Sequence, residues 1–190
     1  MSSEPIGVDR PHGRRRAGLL AGLLAAALAT VAGLLFWPSG SGAAPSPVAA
    51  VLPFHLDEVR TGGAPIALPA RPGHPVVLNF FAAWCDPCHA ELPILADLQR
   101  RMGSQLQVVG VDVQDNRDLA AQMLADSRVG FAAGYDPDRA VSGAWGVDGL
   151  PVTVFIAPDG TVVDYHRGQL GLGSLSQLVN VLLSRSRGLA

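Results

Sequence analysis

The pattern of hydrophobic and polar positions divides this 190-residue chain into four parts. Residues 1–16 are polar and include four arginines, and residues 17–37 then run without a charged side chain. Residues 38–50 are mostly Pro, Ser, Gly and Ala, a composition typical of a flexible tether. The remaining segment, 51–190, alternates short apolar runs with helix-length amphipathic patterns, and its length suffices for one domain with its own core.

The uncharged segment 17–37 predicts a transmembrane helix. Its residues at the helical rise make about 32 Å, enough to cross the hydrocarbon core of a bilayer. The arginines in 1–16 predict a cytoplasmic N-terminus, so the domain is expected outside, on a single-pass protein of the cell membrane. The alternative is a signal peptide cleaved near Ser41-Gly42-Ala43, which would give a secreted protein. The apolar segment is longer than the usual signal core of about 7–15 residues, which favours the anchor.

Apolar patterning in 51–190 predicts strands that alternate with helices. The predicted strands are 54–56, 66–68, 75–82, 105–113, 130–133, 152–157 and 161–166. The predicted helices are 86–102, 117–127, 138–145 and 173–184, with Asn116 and Ser174 as N-caps of the second and fourth. The two-sided apolarity of 75–82 indicates a central strand. This order predicts an α/β three-layer sandwich, with a central mixed sheet flanked by helices.

The charge of the domain argues against one class of partner. Fourteen acidic residues outnumber ten arginines in 51–190, lysine is absent, and no basic patch stands out. Because nucleic-acid binding depends on clustered positive charge, we predict no nucleic-acid partner.

The only two cysteines lie in Trp84-Cys85-Asp86-Pro87-Cys88, directly after the strand 75–82 and at the start of a helix. Unpaired backbone N–H groups and the helix dipole favour an anion at a helix N-terminus, so Cys85 is predicted to ionise and attack. Cys88, nearly one turn further on, is predicted to be more enclosed and to resolve the mixed disulfide. The pair therefore predicts dithiol–disulfide exchange.

Half of a metal site is the alternative interpretation of the pair. Structural zinc usually takes four ligands, the sequence has no second cysteine pair, and its histidines are scattered. We therefore predict no metal, and no cofactor beyond a redox-active Cys85–Cys88 disulfide. Asp86 places a carboxylate beside Cys85, which opposes thiolate formation and favours a reducing pair. Its alternative role is to satisfy N–H donors at the helix start.

Five motifs occur in the order found in one known family. They are Phe80-Phe81-Ala82-Ala83-Trp84, the Cys85-x-x-Cys88 pair, Pro93 in the first helix, Gly149-Leu150-Pro151-Val152-Thr153 and the turn Pro158-Asp159-Gly160. Through them, residues 51–185 resemble thioredoxin-fold proteins of the membrane-anchored TlpA/ResA/CcmG type. The resemblance implies a thioredoxin-like fold and thiol–disulfide oxidoreductase activity.

The resemblance also implies roles for residues around the pair. Asn79 lies six residues before the first cysteine, where thioredoxin carries a buried Asp, and the alternative is an orienting core amide. Glu91 lies three residues after the second cysteine, where the ResA type has a functional acidic residue, so it is predicted to shuttle protons. The alternative for Glu91 is a solvated helix residue. The predicted supporting residues are Asn79, Trp84 on the rim, Asp86, Pro87, the apolar Leu150 and Pro151, the counterpart of a cis-proline.

By the same resemblance, the expected activity is reduction of disulfides in exported proteins, such as the haem-binding cysteines of apocytochrome c. Electrons are expected from a DsbD/CcdA-type thiol transporter in the membrane. Two alternatives stay open. One is an exported oxidant of the same fold that introduces disulfides, and the other is a metal or haem chaperone that uses the thiols as ligands.

Overall fold

The computed structural model describes residues 49–188. The predicted cytoplasmic segment 1–16, the transmembrane segment 17–37 and nearly all of the tether 38–50 lie outside the described residues. Within the described part of the chain, no helix is long and apolar enough to cross a membrane.

Seven strands form two sheets in the described part of the chain. They are β1 (Phe54–Leu56), β2 (Ile66–Leu68), β3 (Val76–Phe81), β4 (Gln107–Val113), β5 (Ala133–Asp136), β6 (Val152–Ile156) and β7 (Val162–Arg167). The main sheet has the order β5-β4-β3-β6-β7, and β1 pairs with β2 separately. β3, β4 and β5 run parallel, whereas β6 is antiparallel to β3 and to β7. The predicted mixed sheet is confirmed.

Four α-helices complete the fold of residues 49–188. They are α1 (Asp86–Met102), α2 (Arg117–Asp126), α3 (Ala140–Ala144) and α4 (Leu172–Arg187). β3 is buried at every position, as a central strand covered on both faces must be. One core cluster joins Phe81 to apolar residues of α1, α2 and α4. The other joins Phe80 to Trp145 after α3 and to the β1–β2 pair, so the sheet is the middle layer of three.

The predicted strand 130–133 is wrong in position, because β5 begins only at Ala133. The segment before it is held by a side chain: the Arg60 guanidinium donates to the Val129 carbonyl at 3.2 Å and to the Phe131 carbonyl at 2.6 Å. These bonds satisfy backbone carbonyls without a strand partner. The partner residue is about 70 positions away in the sequence, so local patterning gave no sign of it.

Of three predictions about helix N-caps and the tether, one is confirmed and two are corrected. The Asn116 side chain accepts hydrogen bonds from two N–H groups of α2, as predicted for an N-cap. The predicted cap Ser174 is wrong, because α4 begins earlier, with Gly171 as its N-cap. The end of the predicted flexible tether is tied to the domain: the Ala49 carbonyl accepts from the Val162 N–H at 3.1 Å.

Candidate active site

The two cysteines lie where β3 gives way to α1. The Cys85 N–H donates to the Ala82 carbonyl at 3.1 Å, closing a turn just after the strand. Cys85 is the N-cap of α1 in an extended conformation, and Pro87 occupies the first helical turn, where a missing N–H costs no helical hydrogen bond. Cys85 and Cys88 form a disulfide with an S–S distance of 1.99 Å and a Cα–Cα distance of 5.3 Å.

The two cysteines differ in exposure in the predicted order. Cys85 is 4% exposed and Cys88 is 1% exposed, so both residues are buried and Cys85 is slightly the less buried of the two. Trp84 is 60% exposed, and its indole N–H donates to the Gln114 carbonyl at 3.1 Å. Trp84 therefore lies at the rim beside Cys85, as predicted. Asp86, the first residue of α1, is exposed as well.

The loop before β6 supplies the other wall of the site. The Leu150–Pro151 peptide bond is cis, as the resemblance implied. Leu150 is half-buried, and it lines the same cleft as Trp84 and Gln114. Leu150 and the exposed indole of Trp84 therefore line one small cleft, together with the charged side chains of Arg139 and Asp148.

Three buried side chains form a chain of hydrogen bonds beneath α1. Asn79 on β3 and Thr153 on β6 are register partners, and the Asn79 amide donates to Thr153 Oγ1 at 2.9 Å. The Thr153 hydroxyl in turn donates to Glu91 Oε1 at 2.9 Å. Because a hydroxyl has a single hydrogen, its donation to Glu91 leaves Oγ1 free to accept from Asn79. Glu91, one turn after Cys88 on α1, is only 1% exposed.

A protein-family model described as the AhpC/TSA family matches residues 49–165, more than half of the chain. The chain belongs to the AhpC/TSA family. The matched segment contains the cysteine pair, Glu91 and Pro151. Among AhpC/TSA-related proteins, the thiol-disulfide oxidoreductase ResA of Bacillus subtilis is 32% identical over 123 residues, covering 64% of this chain and 69% of that protein.

One further relative and one solved structure are similar to this chain. The thiol:disulfide interchange protein DsbE homolog of Paracoccus denitrificans is 39% identical over 101 residues, covering 53% of this chain and 54% of that protein. A thiol:disulfide interchange protein of the thioredoxin family from Chlorobium tepidum has the same fold, with a TM-score of 0.62 and 22% identity, covering 71% of this chain and 96% of that one. The predicted thioredoxin-like fold and the class of thiol–disulfide oxidoreductase are confirmed.

The Glu91 carboxyl of this AhpC/TSA member is tuned to neutral pH. Burial raises its pKa to about 7, because desolvation disfavours the carboxylate. The Thr153 hydroxyl hydrogen bond acts in the opposite direction, as do the polar groups of the Leu170 backbone and Asn79, and together they keep the rise limited. The alternative of a solvated helix glutamate is wrong, since Glu91 is buried. Its predicted role in proton transfer stays a prediction, now with a carboxyl able to hold or release a proton near pH 7.

Two buried polar residues of this site were missed by sequence reasoning. Thr153 was not among the predicted site residues, although a hydroxyl inside the apolar strand Val152–Ile156 is a local signal. Asp112 is a carboxyl inside the apolar strand β4, and it is 0% exposed. A polar side chain at a position that patterning places in the core requires a partner or a function, and this rule identifies both residues.

Replacing Thr153 with Val is expected to raise the pKa of Glu91 above 7. The variant removes the hydroxyl hydrogen bond that favours the carboxylate, while the burial that disfavours it remains. A carbon-13 NMR titration of the Glu91 carboxyl in the oxidised protein measures the shift. Thr153→Ser keeps the hydroxyl, so in that variant the Glu91 carboxyl is expected to titrate near pH 7. An unchanged midpoint in Thr153→Val would show that the hydrogen bond does not tune Glu91.

Proposed function

We propose that this enzyme reduces disulfides of exported proteins on the extracytoplasmic side of the membrane. The observation that carries the proposal is the Cys85–Cys88 disulfide at the N-terminus of α1, directly after the exposed Trp84. The helix N-terminus stabilises the Cys85 thiolate, which is the attacking species. Trp84 and Leu150 line one cleft, so a client that contacts Trp84 also meets the loop of the cis-proline.

The proposed cycle transfers two electrons from the reduced pair to the client. The Cys85 thiolate attacks one sulfur of the client disulfide, forming a mixed disulfide and releasing the other sulfur as a thiolate. Cys88 then loses its proton to Glu91 and attacks the Cys85 sulfur. This step forms the Cys85–Cys88 disulfide and releases the second client sulfur, and protonated Glu91 returns the proton to the departing thiolate. The second client sulfur ends as a thiol, the first is a thiolate that takes a proton from solvent water, and the enzyme ends oxidised.

The predicted location rests on the sequence before the domain. The arginines of 1–16 and the uncharged run of 17–37 support a membrane anchor with the domain outside. Protease added to intact protoplasts is expected to digest the domain 51–190, and protection of the domain would overturn this location. The resemblance to the TlpA/ResA/CcmG type supports apocytochrome c as a client and a DsbD/CcdA-type transporter as the electron donor.

The reduction potential of the Cys85–Cys88 pair tests the direction of exchange. We expect a value near that of thioredoxin, about −270 mV, together with reduction of insulin disulfides by the reduced protein. A value near that of a strong oxidant, about −120 mV, would assign the exported disulfide-forming enzyme instead. Stoichiometric metal or haem in protein purified under reducing conditions, without insulin reduction, would assign the chaperone.

A further inference from the structure

Asp112 is a buried carboxyl that the proposed cycle does not use. It lies near the end of β4, in register with Phe81 of β3 and Tyr135 of β5. Side chains in register on neighbouring strands point to the same face of a sheet, and Phe81 belongs to the core cluster that contains both cysteines. Asp112 is 0% exposed, and no N–H or O–H group of residues 49–188 donates to either carboxyl oxygen.

The neighbour of this carboxyl is Asp115, in the loop after β4. Asp115 Oδ2 accepts a hydrogen bond from the Ala83 N–H, and Oδ1 accepts from the Asn116 N–H at 2.7 Å. The backbone carbonyl of Gln114, the residue before Asp115, accepts a hydrogen bond from the Trp84 indole N–H. The loop after β4 therefore holds both residues that precede Cys85 in the sequence.

A hydrogen bond between the two carboxyls needs a shared proton. Asp112 lies three residues before Asp115, which is the side chain that acts most strongly on its carboxyl, and two carboxyls form a hydrogen bond only when one of them is protonated. Asp115 already accepts hydrogen bonds from the Ala83 and Asn116 N–H groups. Burial raises the pKa of Asp112 to about 8, with the negative charges of Asp115 and Asp136 acting in the same direction. The proton therefore belongs to Asp112.

We propose that Asp112 is a positioning residue, which donates its hydrogen to the Asp115 carboxylate and thereby fixes the Ala83–Trp84 segment that presents Cys85. The functional part of this inference rests on the proposed disulfide exchange. When Asp112 ionises, two carboxylates face each other at the end of β4 and repel. Asp115 then moves or turns, and its hydrogen bond to the Ala83 N–H weakens. The position of the first cysteine is thus coupled to a proton on the sheet beneath it.

Other titratable and charged groups surround the acid pair of Asp112 and Asp115. Their titration has to be distinguished from that of the pair. Asp136 at the end of β5 accepts from the Val141 and Ser142 N–H groups. The Tyr135 hydroxyl donates to the Asp115 carbonyl at 3.0 Å, and the Arg117 guanidinium of α2 lies 5.2 Å from the Tyr135 ring centroid.

Two titratable groups on α1 also have to be considered. A ring nitrogen of His89 lies 2.9 Å from the Ala83 carbonyl oxygen, and Glu91 is the buried acid of the same helix. In the oxidised protein the cysteines are joined and do not titrate. The oxidised state therefore isolates the acid pair from the thiols, and variants of His89 and Glu91 serve as matched controls.

The deciding experiment is an NMR titration of the Ala83 amide in the oxidised full-length chain, in detergent micelles. We expect its proton chemical shift to change with a midpoint near pH 8. Asp112→Asn keeps a donor for Asp115 but cannot ionise, so this inflection should vanish. His89→Gln and Glu91→Gln are expected to retain it. Absence of the inflection in the wild type, or its persistence in Asp112→Asn, would overturn the proposal.

A second variant protects the test if Asp112→Asn does not fold. Asp115→Asn can still accept from the Ala83 N–H but lacks the charge that raises the pKa of Asp112, so the midpoint should move to lower pH. An unmoved midpoint would show that the two carboxyls are not coupled. These readouts need no client, so they decide the positioning role even if insulin is not reduced. If insulin is reduced, wild-type activity relative to Asp112→Asn should fall above pH 8, and a constant ratio would refute the coupling to exchange.

Discussion

Cys88→Ala is expected to accumulate mixed disulfides between Cys85 and client proteins, whereas Cys85→Ala is expected to abolish exchange. Cys85 is the slightly less buried residue, at 4% exposed against 1% for Cys88, and it lies at a helix N-terminus that stabilises its thiolate. Cys88 is enclosed one turn further on, where its partner is the Cys85 sulfur. Without Cys88 the first attack still takes place, but the second has no nucleophile and the adduct persists.

Capture of these adducts in the native cell also identifies the client. Non-reducing gels separate the mixed disulfides, and mass spectrometry names the partner and the cysteine that holds it. The double variant Cys85→Ala/Cys88→Ala is the matched control for nonspecific association. Adducts through Cys88 in the Cys85→Ala protein would reverse the assigned order of attack. An absence of adducts in Cys88→Ala would contradict an exchange mechanism through Cys85.

Much of the fold was predictable because local patterning and packing agree. β3 is apolar at nearly every position, and core clusters cover it on both faces of the sheet. The cysteine pair lies at the strand-to-helix junction that its flanking sequence predicted. β5 was misplaced because the chain before it is held by Arg60, whose contacts depend on tertiary structure that no local window contains.

The buried polar part of the site could be predicted only in outline. Glu91 and Asn79 were found through a family resemblance, but the hydroxyl that joins them is 62 residues from Glu91 in the sequence. Spacing alone cannot show that Thr153 faces Asn79, because that contact depends on the register of β3 against β6. The pKa of a carboxyl depends on its burial and its neighbours, so a helix glutamate and a buried acid look alike in sequence.

Glu91→Gln is expected to slow disulfide reduction at pH 7 by about 10²-fold, the lower end for loss of a general acid–base group. Gln cannot take the Cys88 proton or return it to a departing thiolate. The inflection of the rate near pH 7 should vanish with it. Stopped-flow reduction of a model disulfide between pH 5 and 9 measures both effects. Asp97→Asn removes a partly exposed carboxylate of the same helix and serves as the control. A wild-type profile in Glu91→Gln would exclude proton transfer by this residue.

The same substitution is expected to flatten the pH dependence of stability. Burial raises the pKa of Glu91 from 4.5 to about 7, so between these values the folded protein holds a proton that the unfolded chain has released. The free energy of unfolding therefore falls as pH rises from 4.5 to 7, by about 3 kcal/mol for this group at the stated shift, and levels off above it. Urea unfolding of the oxidised protein at pH 5 and pH 7 measures the difference, with thiol titration excluded by the disulfide. The Asp112 carboxyl also lowers the free energy of unfolding as pH rises, up to about pH 8. Asp112→Asn should therefore flatten the dependence of this free energy on pH beyond pH 7, where Glu91→Gln has no further effect. Equal slopes in the wild type and Glu91→Gln between pH 5 and 7 would mean that burial does not raise the pKa of Glu91, and its carboxylate would then be too weak a base to hold the Cys88 proton near pH 7.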